Sequence, residues 1–536
     1  MPSRQSRAPA MLVIAGLILL ALVARLPGVY WGSNFPGGWQ SHHPDEFTHW
    51  TNTKLLLDPS TFGTWTPHPY PKGLAAMVAV PALVLRKLDI KGGEWPYKRT
   101  VILAGRLVSV VFGAATIVVV VLITGLFFHD RRVGWAAGLI MALGGLHVTQ
   151  SHFFVSDVAG LFWLLLGLYL LLRELGRDPG DRRDYLGWAA FSMGVAFGMK
   201  LVVAGLPTLG LIVLLRRPRV ARIARSAVFF VAGVAIINFG AYSPHDLYVT
   251  LKTGIGDPYV YNRLSGILLY MVELPSVVSL PVTILGLVGG LLLARRALTP
   301  ENRLRLPPIL LVAVLPLLVH GYFVAFTLDH FPRHLLTFIP WLAIAAGWSL
   351  IRMGDQLKKR GVHSAFLMVP FFLYLAAFVF DGERVFIADP RNDAATWILN
   401  NVPSGTTIWW RGAGLPDYEY VRYPIKGKPA ILVIDMKDAN HYLSGMGRRN
   451  SYPRDSRNIF DSFGQEWVDS MQAVFRGPSD YREVARFAEG YVMPEYRLTD
   501  RLIGNRSRNY VAEIVVFQTD HPTRIPTAEP TDLERE

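Results

Sequence analysis

The feature that most constrains this chain is a series of long apolar runs that recur through the first 380 residues and then stop. A run of about 20 apolar residues crosses the hydrocarbon of a bilayer as a helix, because no water is present there to satisfy an exposed backbone. Only 18% of the 536 residues are charged and 51% are hydrophobic, whereas a soluble domain carries about a quarter charged residues. The mean hydropathy of +0.30 agrees. These runs dictate a polytopic α-helical membrane protein.

Candidate spans fall at residues 11–30, 101–128, 133–149, 153–172, 185–199, 201–215, 226–240, 267–293, 308–326, 335–351 and 365–380, about eleven in all. The loops 129–132, 173–183, 216–225, 295–305 and 352–360 are rich in Arg and Lys, which places them on the cytoplasmic side. The first run reaches about 20 residues, against ~7–15 for the apolar core of a signal peptide. It also lacks an A-x-A cleavage site, so it reads as a retained span. The expectation is a multi-pass protein of the plasma (inner) membrane, with its N-terminus inside and its C-terminus outside.

Two segments on the outer side are large, the loop 31–100 and everything after Asp381. Within the loop, residues 74–85 form an apolar stretch flanked by Lys72, Arg86 and Lys87. It is too short to cross and long enough to lie in the interface as a helix. Residues 1–381 therefore read as the membrane domain, including the 31–100 loop. Residues 382–536 read as an extracytoplasmic mixed α/β domain, with a helix at 394–401 and strands at 406–410, 430–434 and 511–517.

The formal net charge is +14, but the basic residues sit in short loops between spans, and orientation in a membrane accounts for them. Nucleic-acid binding is not expected. There are no cysteines, which excludes disulfides, thiolate catalysis and Cys-ligated zinc.

The densest polar cluster is SHHPDEFTHW at residues 41–50, just after the first span. Adjacent carboxylates beside three histidines suit general-base work or a divalent cation. On a helix or turn Asp45 and Glu46 point in different directions, so one can face a site while the other braces it. A cation would draw on Asp45, Glu46 and His43, although no cofactor is demanded. PHPYPKG at 67–73 then brings His68 and Lys72 to the start of the interfacial helix, and such a lysine can pair with a lipid phosphate. Asp157 lies within an apolar run, where an ionisable residue is costly and points to function. Lys200 and Arg333 sit at the outer ends of their runs. The topology thus gathers Asp45, Glu46, Lys72, Asp157, Lys200 and Arg333 near one face.

In order and type these motifs resemble the C-type (GT-C fold) glycosyltransferases, specifically the group of protein O-mannosyltransferases and lipid A aminoarabinose transferases. HPDE at 43–46 stands where the family carries an Asp-Glu pair after its first span. HPYPKG at 68–73 stands for its proline-rich stretch. Asp157 stands for the aspartate opening its fourth span, with Ser156 in place of the usual proline. Lys200 and RHLL at 333–336 stand for its Thr-Lys-Tyr and Arg-Tyr-Leu-Leu-Pro motifs, with Met199 and His334 as departures. The resemblance covers about the first 380 residues. It implies transfer of a sugar from a polyprenyl phosphate to a hydroxyl of a protein, lipid or glycan acceptor, on the extracytoplasmic face and with inversion. Asp45 would be the base, and Lys72, Lys200 and Arg333 would hold the donor phosphate. The rival readings are a secondary transporter or lipid flippase, for which repeat symmetry is expected, and a non-catalytic scaffold.

Overall fold

The computed structural model describes residues 7–32, 41, 43–58, 60, 72–88, 98–128, 130–177, 183–200, 204–215, 220–238, 263–297, 299, 310–326, 332–410, 421–422, 430–436, 480–488, 490–503 and 513–522. The chain divides into two compact units. One comprises Met1–Tyr30, His43–Arg384 and Tyr491–Ile503, and the other Trp31–His42, Val385–Gly490 and Gly504–Glu536. The division is not a single cut in the chain, because residues 491–503 belong with the membrane helices.

The first unit is helical. Its helices are α1 (Arg7–Arg25), α2 (Pro44–Leu57), α3 (Gly73–Lys87), α4 (Lys98–Phe127), α5 (Arg131–Ala142), α6 (Gly145–Gln150), α7 (Ser156–Leu175), α8 (Tyr185–Lys200), α9 (Leu206–Leu215) and α10 (Val220–Ile237). There follow α11 (Arg263–Val278), α12 (Leu280–Ala297), α13 (Leu315–Phe326), α14 (Ile339–Lys359) and α15 (Ala365–Ile387). A 3-10 segment, Pro332–Thr337, leads into α14. Among the described residues, six stretches are long and apolar enough to cross a membrane: Ala10–Tyr30, Lys98–Phe127, Ser156–Leu175, Val220–Ile237, Leu280–Ala297 and Ala365–Asn401. The protein is a multi-pass helical membrane protein.

Several expected spans are realised as shorter pieces. Residues 133–149 form α5 and α6, parted at Leu143 and Gly144, where Gly144 takes an extended conformation ahead of α6. Asp130 starts α5 by accepting a hydrogen bond from the Arg132 amide at 2.9 Å, which satisfies one of the donors left over at a helix N-terminus. Residues 335–351 begin within the 3-10 segment, and α14 takes over at Ile339.

The second unit contains α16 (Pro390–Asn401) and five strands, β1 (Thr407–Trp410), β2 (Val421–Arg422), β3 (Ile431–Asp435), β4 (Tyr481–Ala488) and β5 (Glu513–Thr519). In chain order α17 (Pro494–Ile503) lies between β4 and β5, although it packs in the first unit. The sheet order is β2-β1-β3-β5-β4. β1 runs parallel to β2 and β3, and β5 runs antiparallel to β3 and β4. One face of the sheet buries Ile408, Ile431, Val433, Ile514 and Val516 against Ala394, Ile398 and Val402 at α16.

Candidate active site

The site starts from the first turn of α2. The His43 imidazole caps the helix, its Nδ1 accepting from the Asp45 amide at 3.1 Å, and Pro44 opens the first turn with a φ already suited to a helix. Asp45 and Glu46 fall in that turn, where the helix dipole favours negative charge. Consecutive helical positions diverge by about 100°, and the two carboxylates part company.

Glu46 turns inward and is fully buried. Its Oε1 and Oε2 accept from Arg106 Nε and Nη2 on α4, at 2.8 and 2.7 Å. Oε1 also accepts from the Phe154 amide at 2.8 Å, and Arg106 Nη1 donates to the Val29 carbonyl at 2.8 Å. Burying an ion pair costs several kcal/mol per charge unless its hydrogen bonds are complete. Here they draw α1, α2, α4 and the start of α7 together. Against burial, which opposes ionisation, Arg106 holds the Glu46 carboxyl below its ordinary value. Gly105 makes room for this brace: a Cβ there would lie 2.2 Å from the Phe154 ring.

Asp45 turns the other way, into a half-open space. Its Oδ2 accepts from Arg333 Nη1 at 2.5 Å, and the two side chains retain 16% and 15% exposure. Lys200, at the end of α8, pairs with Asp157 in the first turn of α7. Burial alone would raise the Asp45 carboxyl, but Arg333, His43, Lys200 and His49 together outweigh it and bring the group down to about 2. Burial brings the His43 and His49 imidazoles down to about 4, so both are neutral at pH 7. Their rings lie against Phe153 and Phe154, with centroids 4.6 and 5.4 Å apart.

Asp45, Arg333, Lys200, Asp157 and His43 are therefore neighbours, although they come from four separate stretches of sequence. Lys72 is buried at the start of α3. The following residue, Gly73, touches α8 so closely that a Cβ would lie 2.7 Å from the Gly198 carbonyl, two residues before Lys200. His68 lies outside the described residues. Glu46 is placed as a brace and not at the open side of the cluster. Among the described residues no three His, Asp or Glu side chains converge as ligands for a metal. Of the set Asp45, Glu46 and His43, Glu46 is paired with Arg106, and His43 Nδ1 accepts from the Asp45 amide.

Sequence reasoning missed Arg106. It sits inside the run 101–128, and an arginine there was itself the signal. It also missed the support beneath Arg333: Tyr270 Oη lies 3.1 Å from His334 Nδ1, and His320 Nε2 donates to the His334 carbonyl at 2.7 Å.

The structure thus brings two carboxylates, Asp45 and Asp157, and two cations, Arg333 and Lys200, together beside the first turn of α2. Residues 87–217 match the family model described as dolichyl-phosphate-mannose-protein mannosyltransferase. No curated protein matches the chain. Among solved structures, the archaeal oligosaccharyltransferase AglB from Archaeoglobus fulgidus, in complex with an inhibitory peptide and a dolichol-phosphate, aligns with a TM-score of 0.50 at 11% identity, covering 96% of this chain and 89% of that one. ArnT from Cupriavidus metallidurans bound to undecaprenyl phosphate aligns at 0.48 and 14% identity over 95% and 98% of the two chains. The S. cerevisiae protein O-mannosyltransferase Pmt1-Pmt2 complex bound to the sugar donor aligns at 0.34 and 16% identity, over 48% of this chain and 35% of that one. The chain thus resembles the C-type glycosyltransferases in its motifs and over residues 87–217, and the likeness to AglB is one of fold.

Proposed function

We propose that the protein transfers a sugar from a polyprenyl phosphate to an acceptor hydroxyl at the extracytoplasmic face of the plasma membrane. The acceptor is a protein, lipid or glycan. The observation that carries this reading is the pairing of Asp45 with Arg333, beside Lys200 and Asp157, in a half-open space at the first turn of α2. A donor phosphodiester carries one negative charge, and its departing phosphate carries nearly two. Cations held beside the site stabilise that developing charge. Arg333 and Lys200, with Lys72 at the neighbouring helix end, are the groups for this task. Asp45 then takes the proton of the acceptor hydroxyl. The hydroxyl oxygen attacks the anomeric carbon from the face opposite the phosphate, the carbon–oxygen bond to phosphate breaks with its electron pair, and the configuration inverts. No step is assigned to a metal.

The resting pair also sets an order. With Arg333 on its carboxylate, Asp45 is held at about 2, too weak a base for the task. When the donor phosphate draws Arg333 away, the largest influence holding the group down is removed and its basicity rises. Donor binding thus arms the base. Neutralising Lys72, Lys200 or Arg333 singly is expected to cost about 1.5–3 kcal/mol in kcat/KM for the lipid donor, the worth of a charged hydrogen bond. Arg333→Gln should in addition move the acid limb of the kcat/KM profile to higher pH, because Arg333 holds the Asp45 carboxyl down. Unchanged donor kinetics in all three variants would leave these side chains with a structural role only.

The proposed topology has about eleven spans, with the tail after Asp381 outside. A reporter active only outside the cytoplasm should work when fused after Arg384 and fail within 178–183. The reverse result would put the site on the wrong face for a flipped lipid donor.

A further inference from the structure

Helix α17, Pro494–Ile503, lies in the chain between β4 and β5 yet docks among the membrane helices. Its inward residues are Glu495, Tyr496 and Thr499, all buried. Glu495 Oε1 accepts from the Leu280 amide, the first of α12, at 3.0 Å and from Tyr374 Oη on α15 at 2.7 Å. Asp381 Oδ2 accepts from the Val492 and Met493 amides at 2.9 and 2.8 Å. Tyr496 donates to the Phe378 carbonyl at 3.0 Å and stacks on the Phe378 ring at 4.5 Å. Tyr374, Phe378 and Asp381 share one face of α15. Tyr374 lies seven residues before Asp381, about 10 Å along the axis, on the side of the apolar run. The helix is therefore held along the last two turns of the apolar run in α15, next to its polar end.

The outward face is apolar as well. Val492, Leu498 and Leu502 are each more than half exposed, and Leu498 and Leu502 are one turn apart. The helices α17 docks against also carry exposed apolar residues: Leu268 and Met271 on α11, Ile284 on α12, and Leu373 and Phe380 on α15. Arg497 is exposed beside Leu498, and its Nε donates to the Tyr491 carbonyl at 2.5 Å. An arginine bordering an apolar face suits a helix at a membrane interface, where its stem stays in apolar surroundings.

We propose that α17 is an interfacial membrane anchor whose outward face, Val492, Leu498 and Leu502, is covered by phospholipid acyl chains. The segment between β4 and β5 is thus a return of the chain into the bilayer, fixed by Glu495 and Asp381. A second copy of the chain is the other occupant such a face can take. The docking of α17 against α12 and α15, both apolar enough to cross a membrane and both with exposed apolar residues, favours lipid.

Because the chain has no cysteine, single labels can be placed without background. The full-length protein in phosphatidylcholine–phosphatidylglycerol vesicles would carry a nitroxide at Leu498→Cys, Leu502→Cys or Val492→Cys. References are Leu373→Cys, exposed on α15, and Asp520→Cys, exposed beyond β5. Collisions with oxygen, which partitions into lipid, are compared with collisions with an aqueous nickel chelate. The expected oxygen-to-nickel ratio at 498 and 502 is several-fold above that at 520 and within about twofold of that at 373. If either label does not yield folded protein, 492 takes its place. A ratio matching position 520 would show a water-facing helix, and labels shielded from both reagents would show a protein-covered one; either result overturns the proposal.

Discussion

Asp45→Asn is expected to lower sugar turnover by on the order of 10²–10⁴, the range for lost acid–base catalysis. The amide keeps the size of the carboxylate, and its oxygen can still accept from Arg333, so the cluster around it stays assembled. It cannot take a proton from the acceptor hydroxyl. The loss should therefore fall on kcat, with KM for the lipid-linked donor largely kept. Steady-state transfer by purified variants, with donor concentration varied, separates the two parameters. Near-normal kcat in Asp45→Asn would remove the base and return the transporter and scaffold readings to contention.

The second large effect is on stability. Arg106→Met leaves the fully buried Glu46 carboxylate without its cation. Breaking a buried pair in this way costs about 3–5 kcal/mol. The loss should appear as a markedly lower midpoint of thermal inactivation in detergent. Arg106→Met combined with Glu46→Leu should recover part of it, because no lone charge then stays buried. By contrast Arg132→Gln, which removes a half-exposed cation from Asp130 and Asp355, should change the midpoint little. Equal losses for Arg106→Met and Arg132→Gln would contradict the role of Glu46 as a brace.

The apolar runs were legible because membrane burial imposes one strong pattern, and the helix 98–127 and the span beginning at 156 emerge close to where hydropathy puts them. Where glycine interrupts the run, as at Gly144, hydropathy is blind to the break. The strands expected at 406–410, 430–434 and 511–517 occur as Thr407–Trp410, Ile431–Asp435 and Glu513–Thr519. Strand β4 was not legible, because it pairs only with β5 at the sheet edge and its sequence YREVARFA lacks a clean apolar alternation. The start of α16 at Pro390 was set by a cap, Asp389 accepting from the Arg391 amide at 2.9 Å, which an apolar count does not register. Helix α17 carries charges at Glu495, Arg497, Asp500 and Arg501, and it reads as a polar loop until its docking is seen.

At the site, the sequence offered residue types and an order of motifs. Asp157 could be singled out because an ionisable group in an apolar run is expensive, Asp45 because it stands in the densest polar cluster, and Lys200 and Arg333 because they sit at the ends of their runs. Which carboxylate met which cation was not legible. That depended on the divergence of neighbouring helical positions, which sent Glu46 to Arg106 and Asp45 to Arg333.

The central claim is that a polyprenyl phosphate carries the sugar to this cluster. It is tested most directly by reconstituting the purified protein with a panel of radiolabelled polyprenyl-phosphate sugars, a membrane extract as acceptor, and nucleotide sugars as the comparison. The account predicts transfer from at least one lipid-linked donor, release of one polyprenyl phosphate for each sugar moved, no transfer from nucleotide sugars, and loss of the activity in Asp45→Asn. Transfer that proceeds equally from a nucleotide sugar, or lipid-linked transfer that survives in Asp45→Asn, would contradict it.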